Sequence, residues 1–68
     1  MERPTVEQLR PMLREFLDAL GFEKMAKEVQ AETEWPRFQQ YARIIVKQTG
    51  DPSARIKIAN RFRLLGLY

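Results

Sequence analysis

The chain has 68 residues and contains neither cysteine nor histidine. Disulfide staples are thereby excluded, zinc and the softer metals lose their usual ligands, and no cofactor or metal is expected. The net charge of +3 hides a division: residues 1–34 carry five basic and eight acidic side chains, a net of −3, whereas residues 35–68 carry seven basic side chains and a single acid, Asp51, a net of +6.

The first predicted helix opens at Thr5, which with Gln8 has the spacing of a capping box. Val6, Leu9, Leu13, Phe16, Leu17 and Leu20 follow on one face at helical spacing. Pro11 interrupts the pattern, because a proline removes one backbone donor and crowds the preceding turn; a kink or a helix start near Arg10 is expected. Arg14 and Asp18, four apart, are expected to pair at the surface. Gly21 ends the helix as a left-handed cap.

The second helix is predicted from about Phe22 to about Thr33, with a narrow stripe of Phe22, Met25, Ala26 and Val29. Trp35 stands at the next junction and reads as a core plug rather than a ligand platform. Pro36 suits the first turn of the third helix, which runs to Thr49 and stops at Gly50. A valine at Gly50 is expected to cost as much as one at Gly21. Phe38, Tyr41, Ala42, Ile44, Ile45 and Val46 occupy over half of its circumference, the mark of the most buried helix. The β-branched run Ile44-Ile45-Val46 would also suit a strand, but no second strand is available to pair with it.

Asp51 and Pro52 start the fourth helix, whose core stripe is Ala54, Ile58, Ala59, Phe62 and Leu65. Gly66 ends it and leaves Leu67-Tyr68 as an apolar tail. Together these elements predict one all-α domain over residues 1–68: a small bundle of four short helices, with a helical hairpin over 5–33 and a basic helical pair over 36–66.

A domain this small buries only about 60% of its unfolded surface, so help from a partner is expected. Ile56 and Leu64 fall on the polar side of the fourth helix, and Met12 and Ala19 widen the apolar face of the first. Clustered apolar groups of this kind mark a contact surface. The basic half offers a second candidate. Arg43 and Lys47 lie one turn apart on the third helix, and Arg55, Lys57, Arg61 and Arg63 are spread over the fourth. The turn Gln48-Thr49-Gly50-Asp51 between them has the form of a helix-turn-helix corner. Either this half contacts nucleic acid, with weak and salt-sensitive affinity, or it meets the acidic half, or it is a solvated surface. Catalysis is not expected: there is no histidine or cysteine, no nucleophile in an activating context and no phosphate-binding glycine loop. No apolar run approaches the roughly 18–20 residues that span a bilayer. No basic patch followed by an apolar core opens the chain, so a cytoplasmic protein is expected, or a nuclear one in a eukaryote.

The stretch Leu13-x2-Phe16-Leu17-x3-Gly21-Phe22-x2-Met25-Ala26-x2-Val29-x2-Glu32 resembles the LisH (Lis-homology) motif, over roughly residues 9–32. That resemblance implies a helical hairpin that dimerises into a four-helix bundle on Leu13, Phe16, Leu17, Phe22, Met25, Ala26 and Val29. The expected function is therefore a non-catalytic dimerisation or protein-interaction module, a small adaptor or regulator with itself as partner. Its interface would comprise Leu13, Phe16, Leu17, Phe22, Met25, Val29, Ile56 and Leu64. The alternatives are a small nucleic-acid-binding regulator and an inhibitor of a host protein of the phage or plasmid type.

Overall fold

The computed structural model describes residues 3–68, and four helices account for most of them: α1 (Val6–Ala19), α2 (Glu23–Val29), α3 (Trp35–Gln48) and α4 (Pro52–Leu64), with no strand among the described residues. Ile44-Ile45-Val46 is helical. None of these helices is long and apolar enough to cross a membrane.

The helix ends follow local chemistry. Thr5 Oγ1 accepts from the Gln8 amide at 3.2 Å, while Gln8 Oε1 accepts from the Thr5 amide at 2.9 Å, so the capping box is complete. α1 consequently starts at Val6 and runs through Pro11, not from Arg10. Pro11 and Glu7, whose carbonyl loses its helical donor to the proline, both lie on the exposed side, where water can serve that carbonyl. Gly21 has φ +87°; its amide donates to Asp18 O and the Phe22 amide to Leu17 O at 2.9 Å, the double bond of a Schellman cap. The end of α4 repeats this device: Gly66 has φ +80°, its amide donates to Arg63 O, and the Leu67 amide donates to Phe62 O at 2.8 Å.

Three expectations are corrected. First, α2 stops at Val29, four residues early. The amides of Gln30, Ala31 and Glu32 make i→i−3 bonds that tighten the last turn. The chain then leaves the helix because both ends of Glu32 are engaged: Arg10 Nε donates to its backbone carbonyl at 2.8 Å, and its carboxylate turns toward α3. Second, Gly50 has no positive φ. Thr49 leaves α3 in an extended conformation (ψ 116°), and the corner is closed by side chains. Arg55 Nε and Nη2 donate to Thr49 O at 3.0 and 2.9 Å, and Asp51 Oδ2 accepts from the Ala54 amide at 2.9 Å. Third, Leu67 is no tail residue. The cap at Gly66 folds it back against the interior, where it is fully buried.

Among the described residues twelve apolar side chains form the core, and α3 supplies five of them, Phe38, Tyr41, Ala42, Ile45 and Val46, which makes it the most buried helix. α1 adds Leu9, Leu13 and Leu17, and α2 adds Ala26 and Val29. From α4 only Phe62 is fully buried, its ring edge-on to Phe16 with centroids 5.4 Å apart. α2 packs on α1, α1 on α3 and α3 on α4, which gives a slab of about 31 × 30 × 16 Å. Trp35 is half-buried against the core, as a plug should be. Arg3 lies over its ring at 4.9 Å, and a β-carbon at Gly66 would stand 3.7 Å from its Cζ2.

The Glu32 carboxylate accepts from the amides of Thr33 (3.0 Å) and Glu34 (3.2 Å) and from Arg37 Nε (3.2 Å), so it stands where the N-terminus of α3 needs a negative group. The Glu34 amide first, then the Thr33 amide and Arg37, hold its pKa below the ordinary value near 4.5, against an opposing effect of burial. A depressed carboxylate pKa contributes stability that is complete above the unfolded-state value and lost as pH falls through the folded-state value. Glu32→Gln should therefore lower the melting temperature at pH 7, and its deficit against the wild type should shrink on titration below pH ~4.5. A deficit that stays constant from pH 7 to pH ~3 would show that the ionised carboxylate is not what stabilises the turn.

Candidate interaction surface

The residues that the sequence pattern assigned to one interface separate into three groups. Leu13, Leu17 and Val29 have no exposure at all, and Ala26 has 2%. They are core residues covered within the chain, so they are not available to a partner of the folded protein. Phe16, Phe22 and Met25 are half-buried at the edge of the same core. Ile56 and Leu64, in contrast, are each 62% exposed. The reason is the helical repeat. In and just after α4 the residues Ile58, Ala59, Phe62 and Leu65 pack into or against the core, and Ile56 and Leu64 project from another side.

Between α1 and α4 lies an open groove of about 400 Å³, lined by Met12, Glu15, Phe16, Ala19 and Arg61. It exists because α4 is held mainly by α3, with Phe62 reaching across to Phe16. Met12 and Phe16 are half-buried and form the floor; Ala19 is exposed. Glu15 stands on the α1 side and Arg61 on the α4 side. Neither belongs to an ion pair among the described residues, where only Arg14–Asp18 (3.5 Å) and Glu32–Arg37 pair. The expected Arg14–Asp18 pair is thus present, with both partners about half exposed, where such pairs contribute little.

No family model, curated protein or solved structure matches this chain. The surface must therefore be read from its own chemistry.

The six cations singled out in the sequence are all exposed but do not form one patch of equivalent groups. Arg43 and Lys47 stand on the outer side of α3. Arg55 is spent on the Thr49 carbonyl and closes the α3–α4 corner. Lys57 and Arg61 have no hydrogen-bond or ion-pair partner among the described residues, and Arg63 reaches Asn60 Oδ1 at 3.3 Å and lies over the Tyr68 ring at 5.9 Å. Sequence reasoning missed Tyr68, which is half exposed, and Glu15 as a groove residue. The signal for Tyr68 was present: a glycine at the position after a helix cap predicts a chain that turns back rather than runs on.

Proposed function

We propose that this chain is a non-catalytic protein-interaction module that self-associates through the α1–α4 groove. The observation that carries this reading is the groove itself: an apolar floor of Met12 and Phe16 with an acid on one side and a base on the other, neither in an ion pair among the described residues. A two-fold contact is self-complementary, since residue i of one copy meets residue j of the other and the reverse. Two grooves brought face to face about such an axis can join apolar floor to apolar floor and set Glu15 of each copy against Arg61 of the other. The LisH resemblance also favours self-association, although the residues it would place in an interface between copies are largely core in this fold.

Sedimentation equilibrium should give a dimer mass that dissociates on dilution. Arg61→Glu or Glu15→Arg should each weaken the dimer on the order of tenfold or more, because each places like charges together twice. The double variant, which restores opposite charges in exchanged positions, should recover most of the loss. A monomer mass at high micromolar concentration, or two single reversals without effect, would remove the groove from consideration as a dimer contact.

A second reading, a small nucleic-acid-binding regulator, is favoured by one observation: no acidic residue occurs from position 52 to the end, and Arg43, Lys47, Lys57 and Arg61 stand exposed without an anionic partner among the described residues.

A further inference from the structure

The outer side of α4 differs from the groove. Ile56, Asn60 and Leu64 are spaced by four and so form one row along the helix, all exposed, with Ile56 and Leu64 two turns or about 12 Å apart. Lys57 flanks the row on one side and Arg63 on the other. α4 itself carries no acidic residue, and Asp51 at its start is engaged in capping the helix through the Ala54 amide. At the C-terminal end stands Tyr68, half exposed beneath the Arg63 guanidinium.

We infer that this face docks an acidic amphipathic helix of another protein, a segment whose apolar stripe covers Ile56 and Leu64 and whose flanking carboxylates meet Lys57 and Arg63. This rests on the interaction-module reading but uses a different face from the groove. The charge pattern selects the occupant. Two exposed aliphatic residues, Ile56 and Leu64, set between Lys57 and Arg63 on a helix that carries no acid of its own, are complementary to an apolar stripe between carboxylates. Exposed aliphatic side chains two turns apart suit apolar anchors on a facing helix, whereas a phosphate backbone offers them nothing. Tyrosine and arginine at the end of the row are the residue types that concentrate binding energy at protein contacts. A second copy does not supply the occupant: the buried stripe of α1 (Leu9, Leu13, Leu17) is in the core, its Met12 and Phe16 belong to the groove, and α2 carries Lys24 and Lys27 between Glu23 and Glu28.

The test uses the full chain and three labelled probes followed by fluorescence anisotropy. The first is a set of synthetic helices of about 16 residues, leucine at alternating three- and four-residue steps and glutamate between them, with the register varied. The second is a set of scrambled isomers of the same composition, and the third is a DNA duplex of similar charge. At least one helix should bind on the order of tenfold more tightly than its scrambled isomer. Ile56→Ser with Leu64→Ser should weaken that binding by about tenfold or more with the thermal melt unchanged, and Lys57→Gln with Arg63→Gln should weaken it and flatten its salt dependence. Equal binding of the scrambled isomers, or no binding of any helix, overturns the inference. A duplex that binds more tightly than every helix and ignores Ile56 and Leu64 assigns the face to nucleic acid instead. Glu15→Arg separates the two readings. A variant that loses dimer mass but keeps the peptide supports both, a dimer that binds no peptide overturns this inference alone, and a wild-type monomer that binds the peptide overturns self-association alone.

Discussion

Phe62→Ala should abolish the cooperative thermal transition. Phe62 is the one fully buried residue of α4, and it is the point at which that helix meets both α3 and, through Phe16, α1. Truncating a buried phenylalanine to alanine costs about 3–5 kcal/mol. The edge-to-face pair with Phe16, worth about 0.5–1.5 kcal/mol beyond area burial, places this site toward the upper part of that range. A single core of this size rarely supplies more than about 3–5 kcal/mol in total, so the loss is comparable to the whole stability. Far-UV circular dichroism at 25 °C should show a chain largely unfolded, with a sloping melt in place of a sigmoid. Phe62→Met, which keeps most of the volume with an adaptable side chain, should cost less than about 1.5 kcal/mol and retain a sigmoid. An alanine variant that melts within roughly 5 °C of the wild type would mean that α4 is dispensable to the core.

Valine at Gly21 or at Gly66 should lower the melting temperature, and valine at Gly50 should leave it nearly unchanged. Gly21 and Gly66 have φ of +87° and +80°, a region that a β-branched residue enters only with strain. Nothing stands within 4 Å of a β-carbon at Gly21, so the cost there is conformational alone. A left-handed residue with a β-carbon costs about 1–2 kcal/mol, or roughly 4–16 °C for a domain of this size. At Gly66 the same strain applies, and the branched side chain must also be placed beside Trp35 and Arg3, so its deficit should be the larger. Gly50 has neither a left-handed backbone nor a neighbour within 4 Å, so its valine variant should stay within about 0.5 kcal/mol of the wild type. A Gly50→Val deficit equal to that of Gly21→Val would show that the α3–α4 corner is held by its glycine rather than by Arg55 and Asp51.

Much of this molecule is local, and what is local was legible. The capping pair Thr5–Gln8, the Asp51-Pro52 start and the terminating glycines at 21 and 66 mark helix ends by chemistry confined to a few neighbouring residues, and the structure places ends at all of them. The apolar density of residues 38–46 likewise identified the most buried helix, because no neighbour is needed to know that so wide an apolar arc must be covered. Glycine as punctuation was ambiguous at Gly50. A glycine after a helix shows that a left-handed cap is allowed, while Arg55, six residues beyond Thr49, decided that none was used.

The interface residues were not legible in the same way, and the reason is physical. An apolar stripe at helical spacing states that a face must be covered, but it does not state by what. Leu13, Leu17 and Val29 carry the same periodic signal whether a second hairpin or the chain's own core covers them, and only the packing of α3 on α1 shows that they are spent. For Ile56 and Leu64 the sequence alone determined more: α4 can turn only one side to the core, and Phe62 and Ile58 claim it. The groove was decided by tertiary structure alone, because Glu15 and Arg61 become neighbours of one space only when α3 carries α4 alongside α1 without closing the gap between them.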